Sequence, residues 1–262
     1  MPPSMNRIMF NKAFTTASAS TTRLEVERKF LPTARIDLQL QQLHSDDSSL
    51  ATQQEGATFK LPNFSRQSDN QIRDTYFDCD AQLEKAGIWL RRRQTRIGFR
   101  FALGPTFDVC EAKIRLAGTY VNSEFEEVEG ERAVYARIAK MVPGIVFADL
   151  QPTVDLMTYR QAWSVAHGGD GGCETHVVLD EVREAEVSDG VHPDGPFKYH
   201  IGEVEMVANV SGTGIDSKRE SLRKELDAFM DRHRLLFPTS PHLMGKISAY
   251  FAWKHRDSEQ GR

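Results

Sequence analysis

The 262-residue chain carries 33 Lys and Arg against 37 Asp and Glu, a formal charge of −4, with 40% hydrophobic residues. That is material for one large domain or two modest ones, and one is expected. The charge is too small and too mixed for a nucleic-acid binder, and no stretch approaches the roughly 18 consecutive apolar residues of a membrane span.

Three cysteines, Cys79, Cys110 and Cys173, stand far apart with no CxxC pair, and eight histidines are scattered without ligand spacing. This fits a reducing compartment and gives no zinc framework, so any bound metal has to be held by carboxylates. Residues 1–24 contain Arg7, Lys12 and Arg23, many Ser and Thr, and no acid. Residues 1–22 are therefore expected to be a disordered tail, with a mitochondrial targeting segment as the alternative, and the location cytoplasmic or, on that alternative, mitochondrial.

Period-2 patterning predicts strands at 23–31, 73–79, 87–96, 108–116, 122–129, 155–165, 175–185 and 198–208. Helical spacing occurs at 34–44, through Ile36, Leu38, Leu40 and Leu43, and at 131–141. It is clearest at 217–236, where Leu222, Leu226, Phe229 and Met230 recur, Asp216 or Ser217 can cap the start, and Pro238 follows the end. A short helix with Ile247, Tyr250 and Phe251 is predicted at 243–254. Loops are expected at 46–72, at Gly168–Gly172 and at 187–196, and a polar tail at 255–262.

The first strand places Glu25, Glu27 and Lys29 on one face, with Leu24, Val26, Arg28 and Phe30 on the other. Alone, a charged stripe usually faces water. This one recurs with complementary sign. Trp89, Arg91 and Arg93 share a face opposite Ile88 and Leu90. Lys113 lies between charged neighbours while Cys110, Ala112, Ile114 and Leu116 form an apolar face, and Glu203 and Glu205 share a face opposite Val204 and Met206. Acids on two strands and bases on two more suggest one concave surface. A triphosphate carries about four negative charges near neutral pH, which Arg forks and Lys point charges neutralise. The carboxylates can hold Mg²⁺ or Mn²⁺, hard ions that prefer oxygen. A sheet closed into a barrel would turn the charged faces inward and the apolar faces outward under helices.

The ordered series Leu24-Glu25-Val26-Glu27-Arg28-Lys29-Phe30, Thr75-Tyr76-Phe77-Asp78, Trp89-Leu90-Arg91-Arg92-Arg93, Glu111-Ala112-Lys113, Tyr159-Arg160-Gln161-Ala162-Trp163, Leu179-Asp180, Glu203-Val204-Glu205 and Gly245-Lys246 resembles the CYTH, or triphosphate tunnel metalloenzyme, superfamily. Within it, the thiamine triphosphatase branch is the nearest likeness, over nearly all of 23–254. The resemblance implies an α+β fold, an eight-stranded antiparallel β-barrel forming a tunnel with helices packed outside, as a single catalytic domain at 23–254. It implies Glu25, Glu27, Asp180, Glu203 and Glu205 as ligands of Mg²⁺ or Mn²⁺. Arg91, Arg93, Lys113, Arg160 and Lys246 would bind the phosphates, joined by Lys29, with Lys29 and Glu27 at the catalytic centre. Asp180 shares its face with Val178 and Val182, and Lys246 would have to reach into one tunnel end from a helix. The acids of Glu124-Phe125-Glu126-Glu127 resemble a family segment as well; they read as a solvated edge and stay outside the expected site.

The expected activity is hydrolysis of thiamine triphosphate to thiamine diphosphate and phosphate. Trp89, on the Arg91 and Arg93 face, would stack on the thiazolium ring by cation–π attraction. Inorganic triphosphate hydrolysis, adenylate cyclisation on the same fold, and a non-catalytic polyphosphate-binding module are the alternatives. The expected partner is a small triphosphate, with no nucleic acid and no membrane, and the chain acting as a monomer.

Overall fold

The computed structural model describes residues 21–33, 36, 64–67, 69–98, 104–119, 121–165, 173–186, 195–211 and 214–256. The strands are β1 (Thr21–Phe30), β2 (Phe64–Arg66), β3 (Asn70–Asp78), β4 (Ile88–Ile97), β5 (Thr106–Gly118), β6 (Asn122–Glu129), β7 (Gln151–Val165), β8 (Cys173–Glu184) and β9 (Lys198–Ser211). The helices are α1 (Gln82–Lys85), α2 (Glu131–Met141), α3 (Ile215–Arg232) and α4 (Lys246–Lys254).

All pairings are antiparallel, in the order β7-β3-β4-β5-β6-β1-β9-β8, and β8 pairs back onto β7. Closure satisfies the backbone groups that an open sheet would leave along its edges. The short β2 pairs with Val165–Trp163 of β7 just beyond the stretch that β3 uses, so it prolongs the line of β3 and adds no ninth stave.

Closure explains why β1 is buried on both faces from Leu24 to Phe30. Its apolar face meets α3. Leu24, Val26 and Phe30, with Val204 and Met206 of β9, pack against Leu222, Leu226 and Phe229, a spacing that lays three side chains along one side of the helix. Each such side chain, fully buried, contributes roughly 1.5–3 kcal/mol. Gly202 is required here, because a Cβ on it would lie 2.2 Å from the Phe30 ring across the β1–β9 pair. Arg28, on the same outer face, reaches Asp227 of α3 at 2.8 Å.

A second outer cluster sets Leu83 of α1 and Val134 and Ile138 of α2 against Ile88, Leu90, Ala112 and Ile114 of β4 and β5. Asp78 starts α1 by accepting the backbone N–H groups of Leu83 (2.9 Å) and Glu84 (3.0 Å). Between these clusters the outer surface carries ion pairs, with Arg73 of β3 bonded to Asp155 of β7 and Arg92 of β4 to Asp108 of β5. A third cluster joins Tyr76, Val154, Leu156, Val182 and Phe197 to Ala249 and Tyr250 of α4. In the register, Tyr76 lies opposite Arg91 and Leu156 opposite Asp74, so these apolar residues share the inner face with charged ones and α4 covers an end of the lumen.

The eight predicted strands are all present, several longer by a few residues. The predicted 217–236 helix ends at Arg232, after which the chain turns and buries Leu236 and Phe237. Of the predicted 34–44 helix only Ile36 is described, and it is buried in the α3 cluster; the rest lies outside the described residues, as do 1–20, Gly168–Gly172, most of the 46–72 and 187–196 loops, and 257–262.

Candidate functional site

A cavity of about 980 Å³ opens along the lumen, lined among others by Glu25, Glu27, Lys29, Trp89, Arg91, Arg93, Lys113, Arg160, Glu203, Glu205 and Lys246. The staves are built so that these residues meet. Register sets Glu27 opposite Glu205 and Lys29 opposite Glu203 across β1–β9, Arg91 opposite Glu111 across β4–β5, and Arg160 opposite Asp180 across β7–β8. Residues directly opposite in an antiparallel pair face the same side.

One wall is acidic. Glu25, Glu27 and Glu205 are buried, and each offers an oxygen within 4.8 Å of the others. Lys113 Nζ stands among them, 2.6 Å from Glu25, 3.7 Å from Glu27 and 3.5 Å from Glu127. Lys29 bonds to Glu27 and lies 3.5 Å from Glu203. Burial and the neighbouring Glu127 push Glu25 well above the usual carboxylate range, and burial raises Glu205 as well. Burial acts the same way on Glu27, but the Lys29 and Lys113 ammoniums outweigh it and hold Glu27 at about 2. The set fits a hard divalent cation: oxygen donors only, anionic, sequestered from water, and close enough to have drawn an ammonium among them.

The opposite wall is basic, and here each acid is committed to cations. Asp180, with no exposed surface, accepts two bonds from Arg160 (2.8 and 2.7 Å) and one from Lys246 (2.7 Å). Asp74 accepts two from Arg93 (2.7 and 2.8 Å), and Glu111 holds Arg91 at 2.9 Å. Burial would raise Asp74 and Asp180, yet the Arg93 and Arg160 guanidiniums bring both well below the usual carboxylate range.

The structure thus brings every sequence-predicted site residue to one lumen, and sorts them. Lys246, the first residue of α4, reaches in from the covered end. Asp180, expected among the metal ligands, lies outside the three-carboxylate group, because both its oxygens are taken by Arg160 and Lys246. Glu203 also lies outside that group, 3.7 Å from Arg160. Trp89 lines the cavity beside Phe125, ring centroids 5.6 Å apart at 90°, and the Arg115 guanidinium sits 4.6 Å over its ring.

Sequence reasoning missed Asp74, Glu111, Arg115 and Glu127. The solvated-edge reading of Glu124–Glu127 is corrected by closure: β6 lies between β5 and β1. Glu127 faces the lumen, held by Arg23 at 2.7 Å. Glu126 faces outward to Arg137 at 2.7 Å, and Glu124 is near Arg219 at 3.3 Å. No alternation signal marks Glu127, because acids at 124 and 126 charge the other face of the strand and only the pairing with β5 and β1 shows which face is inward.

No protein-family model matches the chain, and no curated protein does. Among solved structures it is similar to HpAC1 from Hippeastrum, a candidate adenylyl cyclase described as having a dominant triphosphatase activity, at 15% identity over 88% of this chain and 95% of that one, TM-score 0.46. A Bacillus halodurans protein described as a candidate adenylate cyclase matches at 15% identity over 87% of this chain and 97% of that one, TM-score 0.47. The Schizosaccharomyces pombe Mediator head module matches at 8% identity over 80% of this chain and 94% of its own, TM-score 0.40. All three TM-scores are under 0.5, so the functional reading rests on the residues of the lumen.

Proposed function

We propose that this chain is a divalent-metal-dependent triphosphate hydrolase that cleaves a terminal phosphoanhydride inside the barrel, with thiamine triphosphate as its organic substrate. The observation that carries the hydrolase reading is the charge balance of the lumen. Counted with Asp74 and Asp180, which the clamp arginines cover, the cavity lining holds ten Lys and Arg against ten Asp and Glu, so 10 − 10 leaves no net formal charge to receive a substrate of about −4. About two divalent cations per triphosphate restore neutrality. A simple anion binder has no use for so many carboxylates among its bases.

On this reading Glu25, Glu27 and Glu205 hold the cation, Mg²⁺ or Mn²⁺. When bound, it neutralises charge on the transferring phosphoryl group and lowers the pKa of coordinated water. Glu27, ionised throughout the physiological range, is the firmest ligand. Glu203 completes the acidic wall, and Asp180 orients Arg160 and Lys246 rather than binding metal. Arg91, Arg93, Arg160 and Lys246 grip the phosphate chain from the basic wall. Lys29, whose ammonium burial would weaken but Glu27 and Glu203 strengthen, stays charged and meets the reacting phosphate. Lys113, bonded here to Glu25, would be available to a phosphate oxygen if the acids held a divalent cation.

Trp89 supports the thiamine end, because its ring faces the lumen and the cation–π attraction of a thiazolium is worth roughly 0.5–2 kcal/mol. One observation favours a second reading, inorganic triphosphate: the Arg115 guanidinium already stands over that ring and repels another cation. Phosphate release from thiamine triphosphate, inorganic triphosphate and ATP, each with Mg²⁺, Mn²⁺ or excess EDTA, tests the proposal. Release that needs the metal is expected, and undiminished release in EDTA rules it out.

A further inference from the structure

Arg91 and Arg93 are two positive charges on one face of one strand, both lining the cavity, and each makes it harder to keep the other there. Left to themselves, two buried guanidiniums would swing toward water. What opposes this is a residue that does not line the cavity. Asp74, in the middle of β3 and 1% exposed, lies in register with Arg93 and receives its Nε and Nη2 at 2.7 and 2.8 Å. Its Oδ1 is also 3.8 Å from Arg91 Nε. Arg91 has a second anchor in Glu111 at 2.7 Å, whereas Glu111 reaches Arg93 only at 3.6 Å.

We propose that Asp74 is the positioning residue of the arginine clamp: it fixes one edge of the Arg93 guanidinium, steadies Arg91, and so points the remaining N–H groups of both at the phosphate chain. A bidentate carboxylate defines the plane as well as the place of a guanidinium, which a single bond does not. Asp74 itself is screened from substrate by the arginines it holds. Its effect therefore passes mainly through Arg93 and to a lesser degree through Arg91, and misplacing a binding group by even about 1 Å costs up to ~10²-fold.

This inference rests on the proposal that the lumen binds a triphosphate, and the test separates the two. Inorganic triphosphate binding to the full chain in Mg²⁺ is measured by calorimetry, alongside KM and kcat for its hydrolysis. Four proteins are compared: wild type, Asp74→Asn, Arg93→Gln and the double variant. Asp74→Asn is isosteric and removes only the charge and one acceptor. It is expected to weaken binding and raise KM about tenfold while kcat changes by less than about threefold. The double variant is expected to lose clearly less than the two single losses combined, because without Arg93 only Arg91 is left for Asp74 to steady.

Wild-type protein that neither binds nor hydrolyses triphosphate overturns the reading of the lumen. Wild type that binds, with a folded Asp74→Asn that binds equally well or with losses that simply add in the double variant, overturns the positioning role alone. If Asp74→Asn does not fold, Asp74→Glu takes its place. It keeps the charge but displaces it by one methylene, so weaker binding supports the role and unchanged binding overturns it.

Discussion

Two sets of carboxylates are buried in the same lumen and live under opposite conditions. Asp74 and Asp180 are each surrounded by two basic side chains and are held ionised far below their usual range. Burial pushes Glu25 upward with the help of Glu127, although Lys113 stands close by, and burial raises Glu205 despite Arg160 and Lys113. Burial pushes both sets upward; what differs is how fully the surrounding cations outweigh it. The first set is satisfied by the chain itself and serves to aim arginines. The second is answered only in part by Lys113 and Arg160, and on the proposed function a divalent cation would complete it.

The largest effect expected from breaking this contrast is Glu27→Gln. Removing the ionised ligand should cut metal-dependent phosphate release by about 10²–10³-fold, the scale of losing one strong electrostatic contact to a transition state. The thermal midpoint should fall without loss of the fold, because Lys29 and Lys113 lose the carboxylate they hold ionised; a collapse of folding on circular dichroism would make Glu27 a structural ion-pair partner instead. Asp180→Asn sharpens the contrast from the other side. It leaves Arg160 and Lys246 buried without their counter-ion, so stability should fall by about 3–5 kcal/mol in chemical denaturation. A loss as small as that of Glu205→Gln would erase the distinction between the two sets.

The two sets should also pull stability in opposite directions with pH. Glu25 is raised in the fold, so its contribution is complete below the unfolded carboxylate value of about 4.3 and is lost as pH rises through the folded value. Asp74 and Asp180 are lowered, so theirs is present above about 3.9 and is lost as pH falls further. Metal-free protein should therefore melt highest in mildly acidic buffer and less well at neutral pH, and Mn²⁺ should remove the neutral-pH loss. A melting profile indifferent to Mn²⁺ would contradict this.

The smallest effect concerns the organic end. Trp89→Ala should weaken thiamine triphosphate by about 2–30-fold, equivalent to ~0.5–2 kcal/mol, and leave inorganic triphosphate unchanged. Equal losses on both would make Trp89 a packing residue beside Phe125. Arg115→Ala should shift preference toward thiamine triphosphate by uncovering the ring, and no shift would remove Arg115 from substrate choice.

Much of this was legible because a strand's period of two writes its faces into the sequence. Glu25, Glu27 and Lys29, with Arg91 and Arg93 and with Glu203 and Glu205, are all found by alternation alone. Asp74 was hidden because its face-mates Ile72 and Tyr76 are apolar, so nothing marks that face as charged. Glu127 was hidden because acids at 124, 126 and 127 occupy both faces of β6, and only pairing with β5 and β1 says which face is inward. The Arg115–Trp89 contact joins neighbouring strands two residues off register and could not precede knowledge of that register. Asp180 was found as an acid but not as the counter-ion of Arg160 and Lys246, since alternation gives direction and not partner. At three and four residues, β2 and α1 are shorter than any repeat that could announce them.

The most direct test of the central claim is Mn²⁺ binding to the full chain, followed by electron paramagnetic resonance as the free-ion signal is lost, with and without inorganic triphosphate. Wild-type protein should take up Mn²⁺, with the bound amount rising toward about two ions per chain when triphosphate is present, and Glu27→Gln should lose most of that uptake while remaining folded. Folded wild-type protein that leaves the Mn²⁺ signal unchanged in the presence of triphosphate would contradict the account.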